Sequence, residues 1–135
     1  MALMKWSEQL SVGVKAMDGQ HVVLIETLNE LHAALTNGEA HTIVGPLLGK
    51  LLSYTNTHFS AEEALMEASA FPGLAQHRIL HRDLIKQIEV FSGRFERGEE
   101  MLSIHLMNFL RDWLSTHILQ KDKEYGLWMN KHELY

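Results

Sequence analysis

The chain has no cysteine. That excludes disulfide cross-links, thiolate-held iron–sulfur clusters, haem attached through a C-x-x-C-H motif and any thiol nucleophile. Proline is scarce, at two residues in 135, so few positions force a helix to stop. There is no basic excess: the formal charge is −5, which argues against nucleic acid or an anionic membrane surface as a partner. Long apolar runs are missing as well, so no membrane insertion is expected, and residues 1–10 lack the apolar stretch of a signal peptide. A cytoplasmic protein is the expectation, with mixed surface charge suited to a monomer.

What is present is helical spacing. With 46% hydrophobic and 21% charged residues, a chain of this length builds one domain around one core. Apolar residues recur three and four apart in four segments, with almost no strand-like alternation. The first follows Asp18, read as an N-cap, and runs through Leu24, Ile25, Leu28, Leu31 and Leu35 to Asn37-Gly38. The second starts between Thr42 and Pro46 and carries Leu51, Leu52, Thr55, Phe59, Leu65 and Met66. The third opens at Pro72-Gly73 and carries Leu80, Leu84, Ile85, Ile88, Phe91 and Phe95 up to Gly98. The fourth starts near Glu100 and carries Leu102, Leu106, Phe109, Leu110, Trp113, Leu114 and Ile118. Short connections around 37–41, 70–73 and 97–99 make consecutive helices antiparallel. The predicted fold is therefore all-α, an up-down-up-down four-helix bundle over 18–122, with an N-terminal arm (1–17) and a C-terminal tail (123–135). Trp6, Tyr125, Trp128 and Tyr135 are expected to pack over the bundle end.

On that bundle seven side chains meet at one end. His21 stands at the start of the first helix, His58 and Glu62 near the end of the second, His77 and His81 near the start of the third, and His117 and Asp122 at the end of the fourth. Residues four apart differ by about 40° around a helix, so each of the two middle pairs faces one way. Both pairs also continue apolar stripes and so point inward. His117 and Asp122 are five apart, which on a regular helix leaves them about 140° out of phase. A π-type widening there would swing Asp122 inward. Five imidazoles and two carboxylates are enough ligands for two transition-metal ions. Paired cations need bridging carboxylates against their mutual repulsion, which Glu62 and Asp122 supply. Imidazole suits iron, copper, nickel and zinc alike, and the carboxylates favour iron among them. The remaining histidines, His32, His41, His105 and His132, receive no metal role, and Glu63, Glu99 and Glu100 are read as solvated.

The order His, His-x-x-x-Glu, His-x-x-x-His, His-x-x-x-x-Asp, together with Trp6, the MDGQH, HFSAEE, HRILH and DWLSTHILQKD stretches and Phe71-Pro72, resembles the hemerythrins, and in particular their single-domain bacterial members. The resemblance spans essentially the whole chain. It implies a non-haem di-iron centre with a bridging oxo or hydroxo group that binds O2 reversibly, for carriage, storage or delivery, with no catalytic residue. His77, His81 and His117 would hold one iron and His21 and His58 the other, with Glu62 and Asp122 bridging. An oxygen-consuming enzyme is one candidate recipient.

A reversible carrier needs a dry pocket. Trp113 and Leu114 precede His117 by about one turn, Ile118 follows it and Phe59 follows His58, so these four provide apolar cover; in the family such residues line the oxygen pocket. The histidine-rich ligand set leaves more positive charge on the metals than the carboxylate-rich Glu-x-x-His sites of oxygen-activating bundles, which disfavours oxidative chemistry. Two alternatives use the same irons: a redox enzyme turning over peroxide or nitric oxide, and an oxygen-sensing module. Zinc binding and iron storage are residual readings.

Overall fold

The computed structural model describes residues 3–38, 41–98 and 104–135, and within them all side chains but those of His41, Ile43, Ile104 and His105. The helical periodicity becomes α1 (Lys15–Thr36), α2 (His41–Ala68), α3 (Leu74–Glu96), α4 (Ile104–Thr116) and α5 (Lys123–Lys131), and among the described residues there is no strand. A π-helical turn, His117–Asp122, joins α4 to α5 without interruption. The start of the fourth segment near Glu100, its Leu102, and parts of the 37–41 and 97–99 connections lie outside the described residues. Helices α1 and α3 stop where expected: Gly38 and Gly98 take φ of 67° and 72°, the left-handed region that terminates a helix with least strain on glycine.

Two boundaries differ from the sequence reading. Asp18 is not an N-cap, because α1 begins at Lys15 after Val14 and Asp18 stands inside its first turn. Its carboxylate instead turns back to accept from Val12 N at 2.8 Å and Ser11 Oγ at 2.6 Å, pinning the arm rather than the helix end. Helix α2 begins at His41, one residue ahead of the expected window, which leaves Pro46 just past the first turn, with no N–H to donate to the Thr42 carbonyl. The C-terminal tail, given no secondary structure there, is helical from Lys123 to Lys131.

The ends that touch establish the topology. Arg78, early in α3, pairs with Glu63, late in α2. His21, early in α1, lies 3.0 Å from Glu62. At the opposite end Ala34, Val44 and Phe95, from late α1, early α2 and late α3, share one apolar cluster. The helices therefore run up, down, up and down.

Apolar packing forms two bodies with a polar layer between them. The larger fills the bundle with Leu24, Leu28, Leu31, Leu48, Leu51, Leu84, Ile88, Met107 and Leu110. The smaller closes the site end: Met4, Leu10, Val12 and Val14 from the arm and Tyr125 and Met129 from α5 pack on Met17, Met66 and Ile118. Trp6 and Trp128 border this cap as expected, Tyr125 is wholly buried inside it, and Tyr135 is exposed, contrary to expectation. Gly126 sets how closely arm and α5 approach, since a Cβ there would stand 1.9 Å from the Val12 carbonyl oxygen. Asn130 Nδ2 completes the contact by donating to the Gly13 carbonyl at 3.0 Å.

Candidate metal centre

All seven predicted side chains are buried in the layer between the two apolar clusters. Each reaches it by helical register, with one exception. The π-helical turn at His117–Asp122 inserts the extra residue that a five-residue spacing requires, and with it both ends of the turn face the interior.

The donor atoms form two groups. Glu62, His77, His81, His117 and Asp122 each offer one atom, all within 4.8 Å of one another, and His21, His58 and Glu62 form a second group on the same terms. Both carboxylates span the groups. Glu62 places Oε1 3.3 Å from His81 Nε2 and Oε2 3.0 and 3.2 Å from His21 and His58 Nε2. Asp122 places Oδ1 3.0 Å from both His77 and His117 Nε2, and Oδ2 3.1 Å from His21 Nε2.

A cation fits this geometry better than hydrogen bonds do. His117 Nε2 lies 3.0 Å from His77 Nε2 and 3.2 Å from His81 Nε2. Two imidazole nitrogens at about 2.1 Å from one ion and at right angles to each other stand about 3.0 Å apart. Outer partners also turn lone pairs inward. Glu63 Oε2 accepts from His81 Nδ1 at 2.9 Å and Gln20 Oε1 from His58 Nδ1 at 2.6 Å, so in the neutral rings the proton sits outside and Nε2 turns its lone pair inward. Glu62 Oε1 and Asp122 Oδ1 are buried and receive no well-directed hydrogen bond among the described residues, despite their close imidazole neighbours. Such oxygens are costly to bury unless something else satisfies them.

The charges carry the same message. Burial works to lower the pKa of His21, but hydrogen bonds with Asp122 and Glu62 outweigh it and push the ring up to about 9. Burial, then Glu62, would raise the carboxyl of Asp122, and contacts with His117, His21 and His77 hold it below the usual range instead. Glu62, wholly buried, is likewise brought well below by His58, His21 and His81. In this dry layer the surrounding imidazoles supply the positive charge that keeps both carboxylates ionised.

Phe59 stacks on His81 with ring centres 3.6 Å apart, and Trp113 on His117 at 4.4 Å. Together with Leu114 and Thr55 they border a cavity of about 30 Å³, otherwise lined by leucines and Ile88 of the larger core. Ile118, grouped with them in the sequence reading, is fully buried in the cap cluster and takes no part in that lining.

Three partners escaped the sequence reading. Glu63 is not a solvated acid: it is half-buried, braced by Arg78 Nε at 3.2 Å, and holds His81. Gln20, beside His21, carried no spacing signal at all. Tyr125 donates its hydroxyl to Glu62 Oε2 at 2.5 Å; its position three residues after Asp122 was the available clue, since it shares that helix face. Burial, then the charge of Glu62, keeps its phenol protonated well above the usual range. His132 bonds the Trp128 carbonyl, His32 is half-buried on α1, and the side chains of His41 and His105 lie outside the described residues.

The family model described as hemerythrin HHE cation binding domain matches residues 12–128. Bacteriohemerythrin from Stenotrophomonas maltophilia (strain R551-3) is 36% identical over 132 residues, covering 98% of this chain and 85% of the relative. Bacteriohemerythrin from Methylococcus capsulatus (strain Bath) is 32% identical over 127 residues, covering 93% and 96%. A crystal structure of wild-type hemerythrin superposes with a TM-score of 0.91 at 30% identity, over 95% of this chain and 98% of that one.

Proposed function

The chain belongs to the hemerythrin family, and from that premise we propose that it binds O2 reversibly at two iron ions held by His21, His58, Glu62, His77, His81, His117 and Asp122. The observation that carries this reading is the double reach of the carboxylates, each presenting one oxygen to the three-histidine group and the other to the two-histidine group. His77, His81 and His117 would hold one ion, and His21 and His58, the smaller histidine set, would hold the other. Iron supplies the redox-active, partly open coordination that reversible binding of O2 needs.

The chain's own residues do the rest. Gln20 and Glu63 hold His58 and His81 with their Nε2 lone pairs inward, so neither ring must reorganise to bind. Phe59, Trp113 and Leu114 present apolar surface beside the site and keep water and its protons from it. The small apolar cavity behind them suits a diatomic molecule.

The test is to load the protein with Fe(II) without air, admit O2 and record the visible spectrum. A charge-transfer band that appears with O2 and fades under vacuum supports reversible binding. A single irreversible oxidation replaces the proposal with redox chemistry at the same site. Fewer than two ions per chain removes its basis.

A further inference from the structure

Tyr125 comes from α5, outside the four ligand-bearing segments, yet it makes the shortest hydrogen bond at the site. Its ring is wholly buried, and its hydroxyl donates to Glu62 Oε2 across 63 residues of chain at 2.5 Å. That oxygen is the one turned toward His21 and His58. The other, Oε1, faces His81 and receives no hydrogen bond among the described residues. The phenol thus marks the two ends of one carboxylate differently.

From this asymmetry we propose that Tyr125 is a positioning residue for the metal centre, fixing the rotation of Glu62 so that Oε2 addresses the two-histidine group and Oε1 the three-histidine group. A glutamate has three side-chain torsions, and the broad terminal one is little restrained by rotamer preference. Glu62 is one turn from His58 on α2, so its backbone alone does not select which oxygen goes where. A donor anchored in a different element removes that freedom. Tyr125 is well anchored, with Met129, Met66 and Ile118 packed in the same cluster, Gly126 held against the arm and the His77 ring edge-on at 5.7 Å. The π-helical turn serves this too. It rotates all that follows, so the same insertion that brings Asp122 inward aims Tyr125 three residues later.

The inference rests on the two-ion reading, and its test separates the two. Zn(II) is titrated into metal-free wild type and Tyr125→Phe, and the stepwise affinities are read by competition with a chromophoric chelator. Wild type is expected to take two ions. Tyr125→Phe keeps the ring and the packing, and is expected to keep its first affinity while the second weakens on the order of tenfold, the usual scale for losing an outer-shell partner. A purely structural tyrosine would instead lower the melting temperature without separating the two steps. Equal second affinities in the two proteins overturn the role of Tyr125 and leave the two-ion site standing, whereas wild type binding fewer than two ions overturns both. A second measurement needs no variant: zinc-loaded wild type should show a slowly exchanging, low-field phenolic proton in its NMR spectrum. Its absence also overturns the proposal.

Discussion

At the scale of the residue, the site is a set of side chains that are poor company for one another unless a cation joins them. Imidazole nitrogens stand 3.0 and 3.2 Å apart, and two carboxylates share a buried layer. Each outer partner acts on one donor: Gln20 on His58, Glu63 on His81 and Tyr125 on Glu62. Leu114 acts differently, through exclusion. It packs against both apolar clusters and borders the cavity beside Phe59 and Trp113. Replacing it with Ala opens space that water can enter, and replacing it with Asn also supplies a polar group to hold that water. We expect the oxygenated protein to oxidise severalfold faster in Leu114→Ala and faster still in Leu114→Asn, read as the decay of the charge-transfer band in air. Rates equal to wild type would show that the leucine provides no cover.

At the scale of the element, the deciding feature is the turn at His117–Asp122. An α-helix through these residues would carry His117 inward and Asp122 about 140° away. The wider turn holds one more residue, and both side chains are buried in the same layer. Deleting Gln120, which is exposed in this turn, should restore regular helical hydrogen bonding. Asp122 and Tyr125 would then rotate by about 100° away from the site together. The expected outcome is a protein of unchanged helical content by circular dichroism that no longer takes up two metal ions. Retention of two ions would mean that the turn is not what orients Asp122. Other elements were less constrained by local sequence: Asp18 has the residue type of a cap, but the arm offered its carboxylate the Val12 N–H and a serine hydroxyl.

At the scale of the whole molecule, the polar layer is isolated by the two apolar clusters, and the cap is the part that tertiary packing alone assembles. It joins the N-terminal arm to α5 through Met4, Val12, Tyr125 and Met129, residues more than a hundred positions apart. Its tightest point is Gly126 against the Val12 carbonyl. Gly126→Ala forces backbone rather than a flexible side chain to move, and overpacking of this kind costs about 1–3 kcal/mol. A melting temperature lower by several degrees is expected, together with faster hydrogen exchange at residues 10–14, where the arm is displaced. An unchanged melting temperature would show that the arm contributes little to closing the site end.

Read alone, the chain already determined the four helical segments, the end at which the seven buried side chains gather and the irregular turn in the last of them. These follow from intervals of three, four and five residues, and intervals are local geometry. Gln20 and Glu63 were beyond such reading, as were the hydrogen-bond partner of Tyr125, the true role of Asp18 and the separation of Ile118 from Phe59, Trp113 and Leu114. Each depends on which atom from a distant segment arrives within hydrogen-bond or packing distance, and periodicity along one helix carries no information about the rotation and height of its neighbours. Only the folded bundle, closed by arm and α5, decides those distances.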